Sequence, residues 1–77
     1  MREALRKYIT TELMKDPEYP LTDDEALISG GLIDSFSLVE LQLFIEQEFG
    51  VHIEDTELTA DAVDTINDLI ALIEARQ

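Results

Sequence analysis

The sequence contains no cysteine among its 77 residues. No disulfide can therefore stabilise the fold, and no thiolate is available for catalysis, for metal binding or for thioester formation. If the protein works with thioesters, their sulfur has to belong to a group that is attached to the chain.

Long hydrophobic runs are missing as well. The longest unbroken run is Leu69–Ile73, which is far too short to cross a bilayer. The first residues, Met1–Ala4, lack the hydrophobic region of a secretory signal. We therefore expect a cytoplasmic protein that has no membrane span.

Basic residues are scarce: 5 Lys and Arg stand against 18 Asp and Glu, which gives a formal net charge of −13. From Pro17 to Ala75 there are 15 acidic residues and neither Lys nor Arg. Such a surface repels phosphate backbones, so we expect no nucleic-acid partner. It suits partners with basic patches, whose encounter it accelerates by electrostatic steering. The same charge would also serve solubility alone, and composition does not separate the two.

The chain is expected to form one domain over residues 1–77, because 45% hydrophobic residues suffice for a small core. A first helix is predicted over residues 3–14, where apolar side chains recur at helical spacing. Pro17 and Pro20 are expected to end it, since neither can continue a helical hydrogen-bond ladder. A long loop, residues 17–34, follows. Its apolar residues, which should anchor it on the helices, are Leu21, Leu27, Ile28, Leu32 and Ile33.

The second predicted helix runs from Ser35 to Phe49 and stops at Gly50, a residue type common just after helix ends. One face of this helix is expected in the core: Leu38, Leu41, Ile45 and Phe49. The opposite face carries Phe36, Val39 and Leu43 beside Glu40, Glu46 and Gln47. Two interpretations of this second face stay open at this point. It is either a second core contact or an apolar docking strip with acidic edges.

Two further helices complete the prediction. Residues 55–62 are expected to form a short third helix. The last helix starts at a capping-box pattern, Thr65 with Asp68, and one of its faces is Ile66, Leu69, Ile70 and Ile73. The predicted fold is therefore an all-α bundle of three longer helices and one short helix, with a long first loop.

The Asp34-Ser35 pair lies where the loop meets the second helix. Asp34 is suited to cap the helix, and a phosphate ester on Ser35 would lie near its positive end. A catalytic serine is not expected, because the only histidine, His52, would lie roughly 20 Å away beyond the far end of the helix.

The acidic clusters at 23–25 and 54–55 lack the spacing of a calcium loop, so no metal site is predicted.

The run from Gly31 to Phe49, together with the length, the acidity and the long first loop, resembles the 4′-phosphopantetheine attachment region of acyl and peptidyl carrier proteins. The resemblance implies a non-catalytic carrier with a covalent 4′-phosphopantetheine arm from coenzyme A. Ser35 matches the serine that receives the arm from a separate, Mg-dependent phosphopantetheinyl transferase. Asp34 matches the acid before that serine, which contributes to the metal environment in the transferase complex. The positions that match partner-docking residues are Phe36, Val39, Glu40, Leu43 and Glu46.

The resemblance further implies a freestanding, monomeric shuttle for an acyl or aminoacyl thioester. Its expected partners are loading, acyl-transfer and condensing enzymes with basic patches, in fatty-acid, polyketide or related biosynthesis. Gly31 lies four residues before Ser35, a spacing similar to that of D-alanyl carriers, so an aminoacyl carrier of the D-alanyl or peptidyl type is the alternative. An unmodified acidic helical adaptor is a further alternative, from a different class.

Overall fold

A computed structural model describes residues 1–77, apart from the side chain of residue 55. Helix α1 spans Arg2–Tyr8 and continues as a π-helical segment, Ile9–Leu13. Helix α2 spans Ser35–Phe49, a 3₁₀ turn spans Asp55–Glu57, and helix α3 spans Ile66–Glu74. The described residues include no β-strand, which confirms the all-helical class. None of the described helices combines the length and apolar character that crossing a bilayer requires.

The predicted short helix at residues 55–62 is not confirmed. The structure has one 3₁₀ turn of three residues there, and a non-helical path then leads to α3. Weak helix formers, Thr56, Thr59 and Asp61, explain the difference. Leu58 and Val63 are buried on either side of this path, so the segment is held by its core contacts and not by a helical ladder.

The first helix loosens after Tyr8 and ends before the prolines. The Thr10 hydroxyl donates to the Arg6 carbonyl at 2.9 Å, and the Met14 amide donates to the Ile9 carbonyl, five residues back, at 2.8 Å. Such back-bonding by a threonine competes with the regular ladder and bends helices. Lys15 then adopts a left-handed conformation with φ of 57°. The chain therefore leaves the helix before Pro17, and the prolines are not the direct cause.

The ends of α2 and α3 follow the sequence signals. Gly50 has φ of 68°, the left-handed conformation that glycine adopts at little cost, and its amide donates to the Glu46 carbonyl at 3.0 Å. At the start of α3 the Thr65 hydroxyl accepts from the Asp68 amide at 3.1 Å. The Asp68 carboxylate accepts from the Asp64 amide at 3.0 Å. The Thr65 cap of the predicted capping box is thus confirmed, whereas the Asp68 carboxylate binds the amide of Asp64 and not that of Thr65.

The core draws side chains from every helix and from the loop between them. The face of α2 predicted as core contributes Leu41 and Ile45, which are fully buried, and Leu38 and Phe49, which pack against them partly buried. The loop contributes Leu21, Leu27 and Ile33. The other buried apolar residues are Leu5, Ile9, Val51, Ile53, Leu58, Val63, Ile66, Leu69, Ile70 and Ile73. The loop is therefore part of the packed structure.

The two faces of α2 should respond differently to the loss of a branched side chain. Ile45→Ala removes a fully buried side chain and should lower the free energy of unfolding by about 2 to 5 kcal/mol, since it leaves a cavity. Leu43→Ala, its control two residues earlier, should change that free energy by less than about 1 kcal/mol. Urea denaturation measures both. Equal losses in the two variants would contradict the described orientation of α2.

Candidate functional site

Ser35 is the first residue of α2, and it is exposed. The residue lies two positions after Ile33, which is only 5% exposed, so the chain passes from the core to the surface within one turn. The side chain is therefore accessible to a second protein while the backbone beside it is anchored.

Asp34 caps α2 and takes an extended backbone conformation, with φ of −103° and ψ of −176°. Its Oδ1 accepts from the Ser37 amide at 2.8 Å, and its carbonyl accepts from the Leu38 amide at 3.0 Å. The hydrogen bond from the Ser37 amide, followed by one from the Ser37 side chain, lowers the pKa of the Asp34 carboxyl below its ordinary value. The carboxylate form thus satisfies a free amide of the first turn and complements the helix dipole.

The loop before Asp34 is closed by backbone hydrogen bonds. The Leu27 carbonyl accepts from the amides of Leu32 and Ile33, at 2.9 and 3.1 Å. Both glycines of this loop are needed where they stand. A Cβ on Gly30 would lie 2.3 Å from a backbone oxygen, and Gly31 has φ of 77°. The tight turn therefore leads the chain from the buried Leu27 to Ile33 and directly to the start of α2.

The second face of α2 is not a core contact. Phe36 is 83% exposed, Val39 50% and Leu43 52%, although all three are large and apolar. Glu40 and Glu46 are exposed on the same side of the helix. Of the two interpretations left open by the sequence, the second core stripe is therefore wrong. Because we propose a docking role for these five residues, we call them the docking strip: Phe36, Val39, Glu40, Leu43 and Glu46.

Phe44 has a structural role that the sequence analysis did not assign. Its ring stacks on Tyr8, with centroids 4.0 Å apart and an angle of 14° between the planes, and it meets Phe49 edge to face at 6.0 Å. The Tyr8 hydroxyl donates to the Glu40 carbonyl at 3.3 Å. These contacts join α2 to the first helix and fix the direction in which the docking strip faces. Helical spacing places Tyr8 and Phe44 close to the apolar faces of their helices, but it does not pair the two rings.

His52 lies beyond the C-terminal end of α2 and contacts acidic residues. Its Nδ1 lies 3.5 Å from Glu46 Oε2, and its Nε2 lies 3.0 Å from Glu54 Oε1. Hydrogen bonds with Glu54 and then with Glu46 raise the pKa of His52 above its ordinary value of 6.5. The histidine is thus engaged with Glu46 of the docking strip, and its position suits no role as a base for Ser35.

In the part of the chain that the structure describes, no group of three or more His, Asp or Glu side chains is arranged to hold a metal ion. The acidic cluster at 54–55 falls partly outside this description, since the side chain of residue 55 is not included.

Comparison with known proteins identifies the family. The family described as "Phosphopantetheine attachment site" matches residues 3–73. The acyl carrier protein homolog of Mycoplasmopsis pulmonis is 38% identical over 73 residues, which cover 95% of this chain and 96% of the relative. The acyl carrier protein of Thermotoga maritima is 33% identical over 70 residues, which cover 91% and 84%. That of Rickettsia canadensis is 36% identical over 77 residues, which cover 100% and 86%.

The chain therefore belongs to the phosphopantetheine attachment-site family, among the acyl carrier proteins. Members of this family are carriers and not enzymes, and their prosthetic group is a covalently attached 4′-phosphopantetheine. The family also implies interaction with a phosphopantetheinyl transferase and with biosynthetic enzymes. The expected class, cofactor and absence of enzymatic activity are thereby confirmed.

The contacts of His52 predict its titration. Because its pKa is raised, its pairs with Glu46 and Glu54 stabilise the fold below pH 6.5 and lose that contribution as the pH rises through the raised value. NMR of the ring protons should give a pKa above 6.5, and Glu54→Gln should lower it. Glu18→Gln, which removes the same charge from the loop after α1, should leave it unchanged. A wild-type value at or below 6.5 would show that these contacts do not form in solution.

Proposed function

We propose that residues 1–77 form a single carrier domain that holds its 4′-phosphopantetheine arm on Ser35 and its cargo as a thioester on that arm. The observation that carries this proposal is the exposed position of Ser35 as the first residue of α2, directly after the helix cap Asp34. We further propose that the chain has the four-helix arrangement of carrier proteins. The 3₁₀ turn Asp55–Glu57 would take the position of the short helix in this arrangement.

The local chemistry of Ser35 fits the attachment of a phosphodiester. The hydroxyl is on an exposed residue in the first turn of a 15-residue helix, where backbone amides favour negative charge. During attachment the Ser35 oxygen would form a bond to the phosphorus that bears the pantetheine of coenzyme A. The bond from that phosphorus to adenosine 3′,5′-bisphosphate breaks, and the serine proton passes to a base of the transferase. The arm supplies the thiol that the sequence lacks.

Asp34 has a proposed second role beside Ser35. Its carboxyl has a lowered pKa and is therefore ionised near neutral pH. In the complex with the transferase this carboxylate would contribute to the environment of the enzyme's Mg²⁺. Its position one residue before the attachment serine supports this role, while its hydrogen bond to the Ser37 amide keeps it at the helix end.

The docking strip is proposed to bind the partner enzymes. Its apolar side chains are at least half exposed, and its two glutamates give the strip a negative edge. The arginines of the chain pair elsewhere: Arg2 and Arg6 with Asp23, and Arg76 with Glu57. Their positive charges thus do not neutralise the strip, which suits a partner surface that is basic and partly apolar. Because a carrier passes between enzymes, its contacts should be modest and sensitive to salt.

The cargo and pathway are proposed from the relatives. Their names, acyl carrier protein, favour an acyl group of fatty-acid, polyketide or related biosynthesis. The spacing of Gly31 and Ser35 keeps an aminoacyl cargo of the D-alanyl or peptidyl type as the alternative. A monomer in the cytoplasm is the form in which we expect the carrier to work. An unmodified adaptor is the interpretation that the following experiment separates from a carrier.

Arm transfer tests the attachment site. Incubated with coenzyme A, Mg²⁺ and a broad-specificity phosphopantetheinyl transferase, the wild-type protein should gain the mass of one arm in intact mass spectrometry. Ser35→Ala should gain none, because the oxygen that forms the phosphodiester is gone. Ser37→Ala, the matched control two residues further along α2, should gain one arm. An unmodified wild type, or a modified Ser35→Ala, would refute the assignment and leave the adaptor as the better interpretation.

Charge reversal tests the docking strip. Glu40→Lys and Glu46→Lys should each lower kcat/KM for arm transfer about five- to tenfold at low ionic strength, and less at high salt, since they oppose a basic partner. Glu74→Lys makes the same change of charge at an exposed position of α3 and should lower kcat/KM less than about twofold. Circular dichroism checks that helicity is kept. Equal values of kcat/KM in all three variants would contradict the proposal that the docking strip contacts the transferase.

A further inference from the structure

Asp64, the residue before the cap of α3, contacts the long loop more than thirty residues earlier in the chain. Its Oδ1 accepts from the amides of Ile28 and Ser29, at 2.8 and 2.9 Å. Its Oδ2 accepts from the Ser29 hydroxyl, and its backbone carbonyl accepts from the Leu27 amide at 2.6 Å. One residue at the start of α3 therefore binds three consecutive loop residues through four hydrogen bonds.

The same loop residues are bonded to the segment that carries the attachment serine. The Leu27 carbonyl accepts from the amides of Leu32 and Ile33, and the Ile28 carbonyl accepts from the Gly31 amide at 3.1 Å. Asp34 and Ser35 follow immediately. The Asp64 carboxylate thus holds Ile28, whose carbonyl in turn holds the Gly31 amide, four residues before Ser35. The backbone carbonyl of Asp64 holds Leu27, whose carbonyl holds the Ile33 amide.

The contacts of Asp64 favour its charged form. The Ser29 hydroxyl, followed by the amides of Ser29 and Ile28, lowers the pKa of the Asp64 carboxyl. Hydrogen bonds to an ionised acceptor are stronger than those between neutral groups. The carboxylate at this position is therefore well suited to order the loop near neutral pH.

A second contact between α3 and the loop serves as a comparison. The Asn67 side chain donates to Asp24 Oδ1 at 2.6 Å, and the Asn67 amide donates to the Asp23 carbonyl at 3.2 Å. These contacts hold the loop several residues before Leu27. They anchor the chain on α3 without reaching the turn that leads to Ser35.

We propose that Asp64 is a positioning residue for the attachment site, holding Leu27–Ser29 so that the turn before Ser35 has the conformation that the transferase binds. The inference rests on the proposed function, because it assumes that the arm is attached to Ser35. Without the carboxylate, only a fraction of the molecules would have the ordered turn. The apparent affinity for the transferase then equals the wild-type affinity multiplied by that fraction. The Ser35 hydroxyl itself is unchanged, so the rate in the saturated complex is kept.

Steady-state kinetics of arm transfer test this role. Asp64→Ala should raise KM for the carrier about tenfold and leave kcat within about twofold, as expected for lost hydrogen bonds to a charged group. Asp64→Asn keeps an oxygen that can accept from the amides of Ile28 and Ser29, and it should restore most of the wild-type KM. Asn67→Ala, the control three residues further along, in the first turn of α3, should leave KM within about twofold of the wild type.

The outcomes separate the inference from the function on which it rests. An unchanged KM in Asp64→Ala, an equal rise in Asn67→Ala, or no restoration by Asp64→Asn would overturn the positioning role while transfer to Ser35 stands. Failure of the wild-type protein to accept an arm would instead overturn the attachment site. If Asp64→Ala does not fold, hydrogen exchange of the wild-type protein decides. Slow exchange of the Ile28 and Ser29 amides supports the proposal, and exchange as fast as in an unfolded chain overturns it.

Discussion

The position of one exposed serine, Ser35, depends on the burial of the loop that precedes it. Leu21, Leu27 and Ile33 give this loop a place in the core, although it has no helix of its own. The tight turn after Leu27 then brings the chain to the surface at Ser35. A carrier needs this combination, because its attachment residue must be accessible to other proteins and must also occupy a fixed position for them to recognise.

Helix α2 serves both the core and the surface, and its two faces are chemically distinct. Ile45 and Leu41 are buried, whereas the apolar residues of the docking strip are exposed. Stacking of Phe44 on Tyr8 fixes the rotation of the helix and thereby the direction of the strip. The ion pairs of Arg2 and Arg6 with Asp23, and of Arg76 with Glu57, lie away from the exposed face of α2.

Periodicity and capping signals predicted α2, α3 and the core face of α2, because these depend on local spacing in the sequence. Periodicity alone did not predict the exposure of Phe36, Val39 and Leu43, since an apolar stripe suits a core contact and a docking surface equally well. The resemblance to carrier proteins favoured the docking surface. The short helix predicted at residues 55–62 is not confirmed, because Leu58 and Val63 are held there by tertiary packing and not by a helical ladder. The Tyr8–Phe44 stack and the contacts of Asp64 join residues far apart in the chain, and a single sequence contains no signal for such pairs.

We propose that the prosthetic group is attached to one atom, the hydroxyl oxygen of Ser35. The protein isolated from its own cells offers the most direct test. Tandem mass spectrometry of the carrier isolated from the cells in which it occurs would locate the arm on one of three serines, Ser29, Ser35 or Ser37. The account predicts fragment spectra in which the phosphopantetheine is attached to Ser35. An arm on either of the other two serines, or a protein that never carries an arm in those cells, would contradict it.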